Sequence, residues 1–145
     1  MLATSGSGKP SQVNLRRAVS SAYYALFHCL ARCCADTLVG GYGADRSRHA
    51  WRQVYRALEH GFAKNACTAR KFIKKFPQEI QDFAGTFVTM QEKRHAADYD
   101  PTACFLKSEV LKAIEATETA LKNFRNVPIK DRRAFSAYVL FKKRI

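Results

Sequence analysis

The chain has 145 residues, 47% of them hydrophobic and 12% aromatic, which is enough apolar material for the core of one domain. Lys and Arg number 25 against 12 Asp and Glu, so the formal net charge is +13 at pH 7. This excess favours an anionic partner, with nucleic acid ahead of a membrane surface. No apolar run approaches the roughly 20 residues of a membrane span, and residues 1–10 lack a signal-peptide core, so we expect no membrane contact and a flexible tail over 1–10.

The five cysteines are an odd number and include no C-x-x-C pair. Cys29, Cys33 and Cys34 lie in one apolar helical stretch, where a free cysteine behaves as a small hydrophobe. This usage favours a reducing compartment and predicts a cytoplasmic protein. A zinc site built from His28 with Cys29 or Cys33 would lack the usual ligand spacing, so we expect neither a metal nor a cofactor. We interpret His28 as a buried, hydrogen-bonded structural residue, with a role in a site as the alternative.

The apolar periodicity is helical throughout, and no segment shows the alternation of a strand. The first helix is predicted from about Ser11 to Val39, where two glycines end it. Between Ala22 and Leu30 this helix is apolar on nearly all sides. It should therefore be buried on more than one side, by its own domain or by a second subunit.

A second helix is predicted from about Arg48 to Lys64. Basic residues recur every four positions on the side opposite its apolar face: Arg48, Arg52, Arg56, His60 and Lys64. From Arg46 to Lys75 the chain carries nine Lys or Arg and one acid, Glu59. Arginines one turn apart can contact successive phosphates, which predicts RNA binding by four of these residues: Arg48, Arg52, Arg56 and Lys64. The alternative is an ordinary solvated helix face.

A third helix is predicted to open at Pro77 and to end at Asp100, because Asp100 precedes a proline. Its apolar stripe, continued at 3.6 residues per turn, reaches Arg94 and Asp98. An arginine on a core stripe needs a carboxylate, an interface or a ligand. Arg94 can therefore pair with Asp98, or it can hold a scissile phosphate while His95 transfers protons and Tyr99 binds or orients the substrate.

A fourth helix is predicted from about Thr102 to Asn126, followed by a short basic helix over Ile129 to Ile145. Long amphipathic helices with short connections predict an all-α, up-and-down bundle of four to five helices. The bundle domain should cover residues 11–127. Residues 128–145 should form a helix that is packed on this domain or extends it.

Three stretches together resemble the HEPN superfamily of small helical domains, over about Ser11 to Phe124. They are Ser21-Ala22-Tyr23-Tyr24-Ala25-Leu26-Phe27-His28, the histidine that opens the second helix (His49), and Arg94-His95-Ala96-Ala97-Asp98-Tyr99. The resemblance implies a helical bundle that dimerises. It also implies, as in many members of toxin–antitoxin and defence systems, a metal-independent ribonuclease whose motif assembles across the dimer interface.

In this resemblance Arg94 matches the family's arginine and His95 its polar position, whereas the final histidine of the motif falls on Tyr99. Two alternatives follow. The chain is a metal-independent endoribonuclease with Arg94, His95, Asp98 and Tyr99 in its site. Otherwise it is a catalytically inactive dimer that binds RNA or protein, paired with a nucleotidyltransferase or an antitoxin. A homodimer is expected in either case.

Overall fold

The computed structural model describes residues 11–142, and these form seven α-helices without a strand among them. The helices are α1 (Gln12–Leu38), α2 (Arg48–Ala57), α3 (His60–Thr68), α4 (Arg70–Ile73), α5 (Gln78–Tyr99), α6 (Lys107–Arg125) and α7 (Ile129–Leu140). The predicted all-α bundle is confirmed. The predicted tail over residues 1–10 and the last three residues of the predicted C-terminal helix lie outside the described part of the chain.

Helix α1 is the central element and packs against α2, α5, α6 and α7. It begins at Ser11, whose hydroxyl accepts a hydrogen bond from the Asn14 backbone N–H, as an N-cap should. The predicted burial on more than one side is confirmed, and helices of the same chain provide it. Between Ala22 and Leu30 the exposed positions are Tyr24, Ala25 and His28. These three mark the strip of α1 that remains accessible.

The prediction of a single helix over Arg48–Lys64 is wrong, because the chain turns between α2 and α3. Leu58 and Glu59 are extended, with φ −66°, ψ 122° and φ −107°, ψ 134°. Leu58 is buried at the turn. The start of α3 stays near α1 through the His60 side chain, and the rest of α3 packs on α5 and α7, with Ala63 and Cys67 buried. Packing therefore overrides a periodic pattern that continues through the break. This division, together with the short α4, produces seven helices instead of four to five.

The fourth predicted helix begins at Lys107 and not at Thr102, because the N-terminal turn of α1 holds the preceding segment. The Gln12 amide donates to the Phe105 carbonyl and accepts from the Phe105 N–H, both at 2.8 Å. The Arg16 guanidinium donates to the Ala97 carbonyl at 2.8 Å and to the Ala103 carbonyl. These contacts fix the C-terminal end of α5, where the Arg94–Tyr99 motif lies.

Helix α7 packs on α1 and α3. Phe135, Ser136 and Val139 are fully buried, and the Phe135 ring lies 6.3 Å from Phe83 and 6.1 Å from Phe124. The basic side chains of α7 remain outside the core. Over residues 11–142, none of the helices has both the length and the apolar character needed to cross a membrane.

Candidate functional site

Arg94 points from α5 into the bundle and is only 8% exposed. Its guanidinium carbon lies 5.0 Å from the centre of the Tyr23 ring and 5.6 Å from that of Tyr24. One terminal nitrogen is 3.6 Å from Asp98, whose carboxylate also accepts a hydrogen bond from the Ser20 hydroxyl at 2.7 Å. The predicted ion pair with Asp98 is therefore present. The Nε group of Arg94 is buried and has no hydrogen-bond partner among residues 11–142, an arrangement that costs stability.

His95 and Tyr99 lie on the outer side of α5. Both are exposed, and their ring centres are 4.9 Å apart. The structure thus brings His95 together with Tyr99, and Arg94 together with Asp98. Within one chain the two pairs lie on different sides of α5, since Arg94 faces α1 while His95 and Tyr99 face solvent.

His60, which the sequence places on the basic side of one long helix, lies instead between α1 and α5. Its Nδ1 atom is 2.6 Å from the Tyr23 hydroxyl, and its ring stacks on Phe27 with a centre-to-centre distance of 3.9 Å. The Gln91 side chain donates to the His60 backbone carbonyl at 3.1 Å. A tyrosine in the apolar part of α1 needs a partner for its hydroxyl, and this need is the sequence signal that could have found His60.

Burial and charge determine the protonation states of Tyr23 and His60. Burial raises the pKa of Tyr23 to about 12, although the Arg94 charge and hydrogen bond act in the opposite direction. Burial, followed by the positive charge of Arg94, lowers the pKa of His60 below its ordinary 6.5. At neutral pH Tyr23 is therefore a phenol and His60 a neutral imidazole. In the tautomer in which Nδ1–H donates to the Tyr23 oxygen, the Nε2 atom of His60 carries no proton and can accept one.

His28 lies at the accessible strip of α1. Its Nδ1 atom is 2.6 Å from the Tyr55 hydroxyl, which confirms the predicted hydrogen bond. The predicted burial is wrong, because α2 covers this part of α1 only through partly buried side chains such as Tyr55 and leaves His28 exposed. An exposed imidazole with one nitrogen held by a tyrosine is suited to binding or proton transfer.

These groups converge on Tyr24, whose side chain is 37% exposed. The rings of His28 and His60 each lie 6.0 Å from the Tyr24 ring centre, and the Arg94 guanidinium carbon is 5.6 Å from it. We call Tyr24, His28, His60 and Arg94 the Tyr24 cluster; its members come from α1, α3 and α5. Two imidazoles can transfer protons, a guanidinium can stabilise negative charge on a phosphate, and an exposed ring can stack on a base.

The predicted RNA-binding residues are divided by the break after α2. Arg48, Arg52 and Arg56 are exposed and one turn apart on α2, and we call them the α2 ridge. Lys64 belongs to α3, and its ammonium group lies 3.9 Å from the Glu92 carboxylate. The ridge is therefore shorter than the sequence predicts. It still adjoins the Tyr24 cluster, because α2 packs on α1 and Tyr55 of α2 bonds to His28.

Comparison of this chain with protein-family models, with curated proteins and with solved structures finds no match in any of the three.

Proposed function

We propose that this protein binds RNA and cleaves it without a metal ion. The observation that carries the proposal is the Tyr24 cluster, in which two imidazoles and one guanidinium surround a partly exposed aromatic ring. In the proposed reaction the ribose 2′-oxygen attacks the adjacent phosphorus and the bond from phosphorus to the 5′-oxygen breaks. A base removes the 2′-hydroxyl proton, and an acid returns a proton to the departing 5′-oxygen. The products are a 2′,3′-cyclic phosphate and a 5′-hydroxyl.

The environment of each group supports a separate role. The lowered pKa of His60 keeps its imidazole neutral and ready to accept the 2′-hydroxyl proton. His28, the more exposed imidazole, would supply the proton to the leaving oxygen. Arg94 would stabilise the charge that develops on the phosphate through the positive charge of its guanidinium, and Asp98 holds Arg94 in position.

The α2 ridge would hold the strand beside this centre. Its three arginines are exposed at one-turn spacing and can contact phosphate oxygens in succession. Such contacts carry no sequence information by themselves, so they would position RNA of many sequences.

The test uses labelled single-stranded and structured RNA in the presence of EDTA. We expect wild-type cleavage, and we expect His28→Gln and His60→Gln each to slow it by about 100-fold, the usual contribution of a positioned acid or base. Arg94→Lys should slow it as well, because lysine keeps the charge but loses the planar fork of donors. His49→Gln is the matched control, since His49 is an exposed histidine outside the cluster.

His95→Gln separates the two assignments of the proton-transfer groups. If cleavage persists in His28→Gln and His60→Gln but disappears in His95→Gln, the outer side of α5 carries the reaction and the role given to the Tyr24 cluster is wrong. Cleavage that EDTA abolishes would contradict a metal-independent reaction altogether.

A second candidate function is RNA binding without cleavage, as in a HEPN-like dimer that acts with a protein partner. The low exposure of Arg94 and its pairing with Asp98 favour it, because such an arginine can serve packing alone. Salt-sensitive RNA binding by a wild-type protein that leaves the RNA intact would support this second function.

A further inference from the structure

A cavity of about 370 Å³ opens between the second half of α1, the end of α6 and the start of α7. Three arginines line it, one from each helix: Arg32, Arg125 and Arg132. His28 also lines it, and Phe124 contributes an apolar wall. This volume falls in the range of small-molecule sites.

The positive charge around this cavity is not balanced by carboxylates. Arg32 and Arg125 are exposed, and neither forms an ion pair within residues 11–142. The Arg132 Nε donates to the Val127 carbonyl at 2.9 Å. The terminal nitrogens of its guanidinium group provide further N–H donors. The one acid in the lining, Asp36, already accepts from Trp51 at 2.8 Å and from Arg46 at 3.2 Å. Three like charges gathered at one cavity repel each other unless an anion joins them.

The two thiols in the lining do not supply that negative charge. Burial raises the pKa of both Cys29 and Cys33 above the ordinary value of 9.0, although neighbouring hydrogen bonds and arginine charges act against it. Both groups are therefore neutral at physiological pH, and the cavity keeps its positive character.

We propose that this cavity binds a terminal phosphate group, of a free nucleotide or of a 5′-phosphorylated RNA end. A phosphodiester carries one negative charge, whereas a phosphate monoester carries close to two at pH 7 and offers three acceptor oxygens. Guanidinium groups from three directions match that charge and those oxygens. The Phe124 wall can face the sugar or the base.

The experiment is calorimetric titration at low salt with AMP, with inorganic phosphate and with adenosine. AMP and phosphate should bind and adenosine should not. The double variant Arg32→Gln/Arg125→Gln should weaken AMP binding by about tenfold or more, since hydrogen bonds to charged groups are lost. Arg132 is kept because its bond to Val127 supports the turn before α7.

A variant with the same loss of charge provides the control. Arg17→Gln/Arg70→Gln removes two exposed arginines that lie outside both the cavity and the α2 ridge, so it should bind AMP like the wild type. Circular dichroism checks that both double variants are folded. If adenosine binds as well as AMP, if AMP does not bind, or if the two double variants behave alike, the cavity is not a phosphate site.

Two RNA oligonucleotides identify the source of the phosphate. Tighter binding of a 5′-phosphorylated strand than of its 5′-hydroxyl form, with the difference lost in Arg32→Gln/Arg125→Gln, would assign the cavity to RNA ends. Equal binding of the two strands, together with arginine-dependent AMP binding, would assign it to free nucleotides. Absence of RNA cleavage with AMP binding retained would contradict the proposed reaction and leave this site standing.

Discussion

Arg94, Tyr23 and His60 form a connected polar array inside an otherwise apolar part of the bundle. Tyr23 is fully buried, and its hydroxyl is paired with His60 at 2.6 Å. A buried hydroxyl left without a partner would cost about 1–3 kcal/mol, so this hydrogen bond supports the contact between α1 and α3. The same bond orients an imidazole of the Tyr24 cluster.

The lowered pKa of His60 makes the stability of the protein depend on pH. The unfolded chain binds a proton at the ordinary pKa of 6.5, whereas the folded protein binds it only at lower pH. The stabilisation is therefore complete above pH 6.5 and is lost as the pH falls from there through the folded pKa. Urea unfolding at several pH values should show a smaller acid loss in His60→Gln than in the wild type.

His49→Gln serves as the reference for this measurement, because His49 is exposed on α2. Its unfolding free energy should follow the wild-type pH dependence. The account of His60 would be wrong if His60→Gln and His49→Gln lost stability in parallel on acidification.

The candidate site could be predicted from the sequence only where spacing along one helix decides the contact. The apolar stripe of α5 correctly placed Arg94 inside and Asp98 next to it. The approach of His60 to Tyr23 depends on the break after α2 and joins residues 37 apart in the chain. No periodicity along a helix encodes such a contact.

At the scale of the elements, α5 is completed by a residue of α1. The last turn of α5 has no basic residue to interact with its free carbonyl groups. Arg16 supplies the charge from α1 by donating to the carbonyls of Ala97 and Ala103. One side chain thereby joins the start of the first helix to the end of the fifth.

Replacement of Arg16 should therefore lower the free energy of unfolding by more than its partly buried position suggests. We expect Arg16→Met, which keeps most of the apolar stem, to lower the unfolding free energy by about 2 kcal/mol, because charged hydrogen bonds to two carbonyls are lost. Arg17→Met is the control: Arg17 is exposed, and a surface substitution usually changes stability by less than about 0.5 kcal/mol. Equal losses in the two variants, measured by urea unfolding, would show that Arg16 does not cap α5.

The observed helix boundaries agree with the predicted ones where the sequence carries a local capping signal. They differ where contacts with other helices determine the boundary. Ser11 and Pro77 mark the starts of α1 and α5 as predicted. The turn at Leu58 and Glu59 has neither glycine nor proline, and it forms because α3 packs on different partners from α2. The late start of α6 depends on the Gln12 side chain, which lies 93 residues from Phe105.

For the whole molecule, the net charge of +13 leaves open which surface meets an anion. A general positive field raises affinity for any polyanion, whereas ordered contacts to phosphates release a defined number of counterions. The α2 ridge and the cavity beside Arg32 are two local concentrations of this charge.

The salt dependence of RNA binding measures the contribution of the ridge. The slope of log affinity against log salt changes by about 0.7 for each phosphate contact with a single strand. We expect Arg48→Gln/Arg52→Gln/Arg56→Gln to reduce the slope by about 2 in fluorescence anisotropy titrations. A charge-matched variant on α6, Lys107→Gln/Lys112→Gln/Lys122→Gln, should retain the wild-type slope. Equal reductions in both variants would indicate a diffuse field in place of a ridge.

The central position of α1 has a consequence for the nascent chain. This helix is about 40 Å long at 1.5 Å per residue, and the partners that bury it include α5, α6 and α7. About 90 residues separate the end of α1 from the start of α7, which at ribosomal rates is about 5–20 s of synthesis. During that interval the set of helices that buries α1 is incomplete. The step of biosynthesis most open to aggregation, or to capture by chaperones, therefore comes before α7 has left the ribosome.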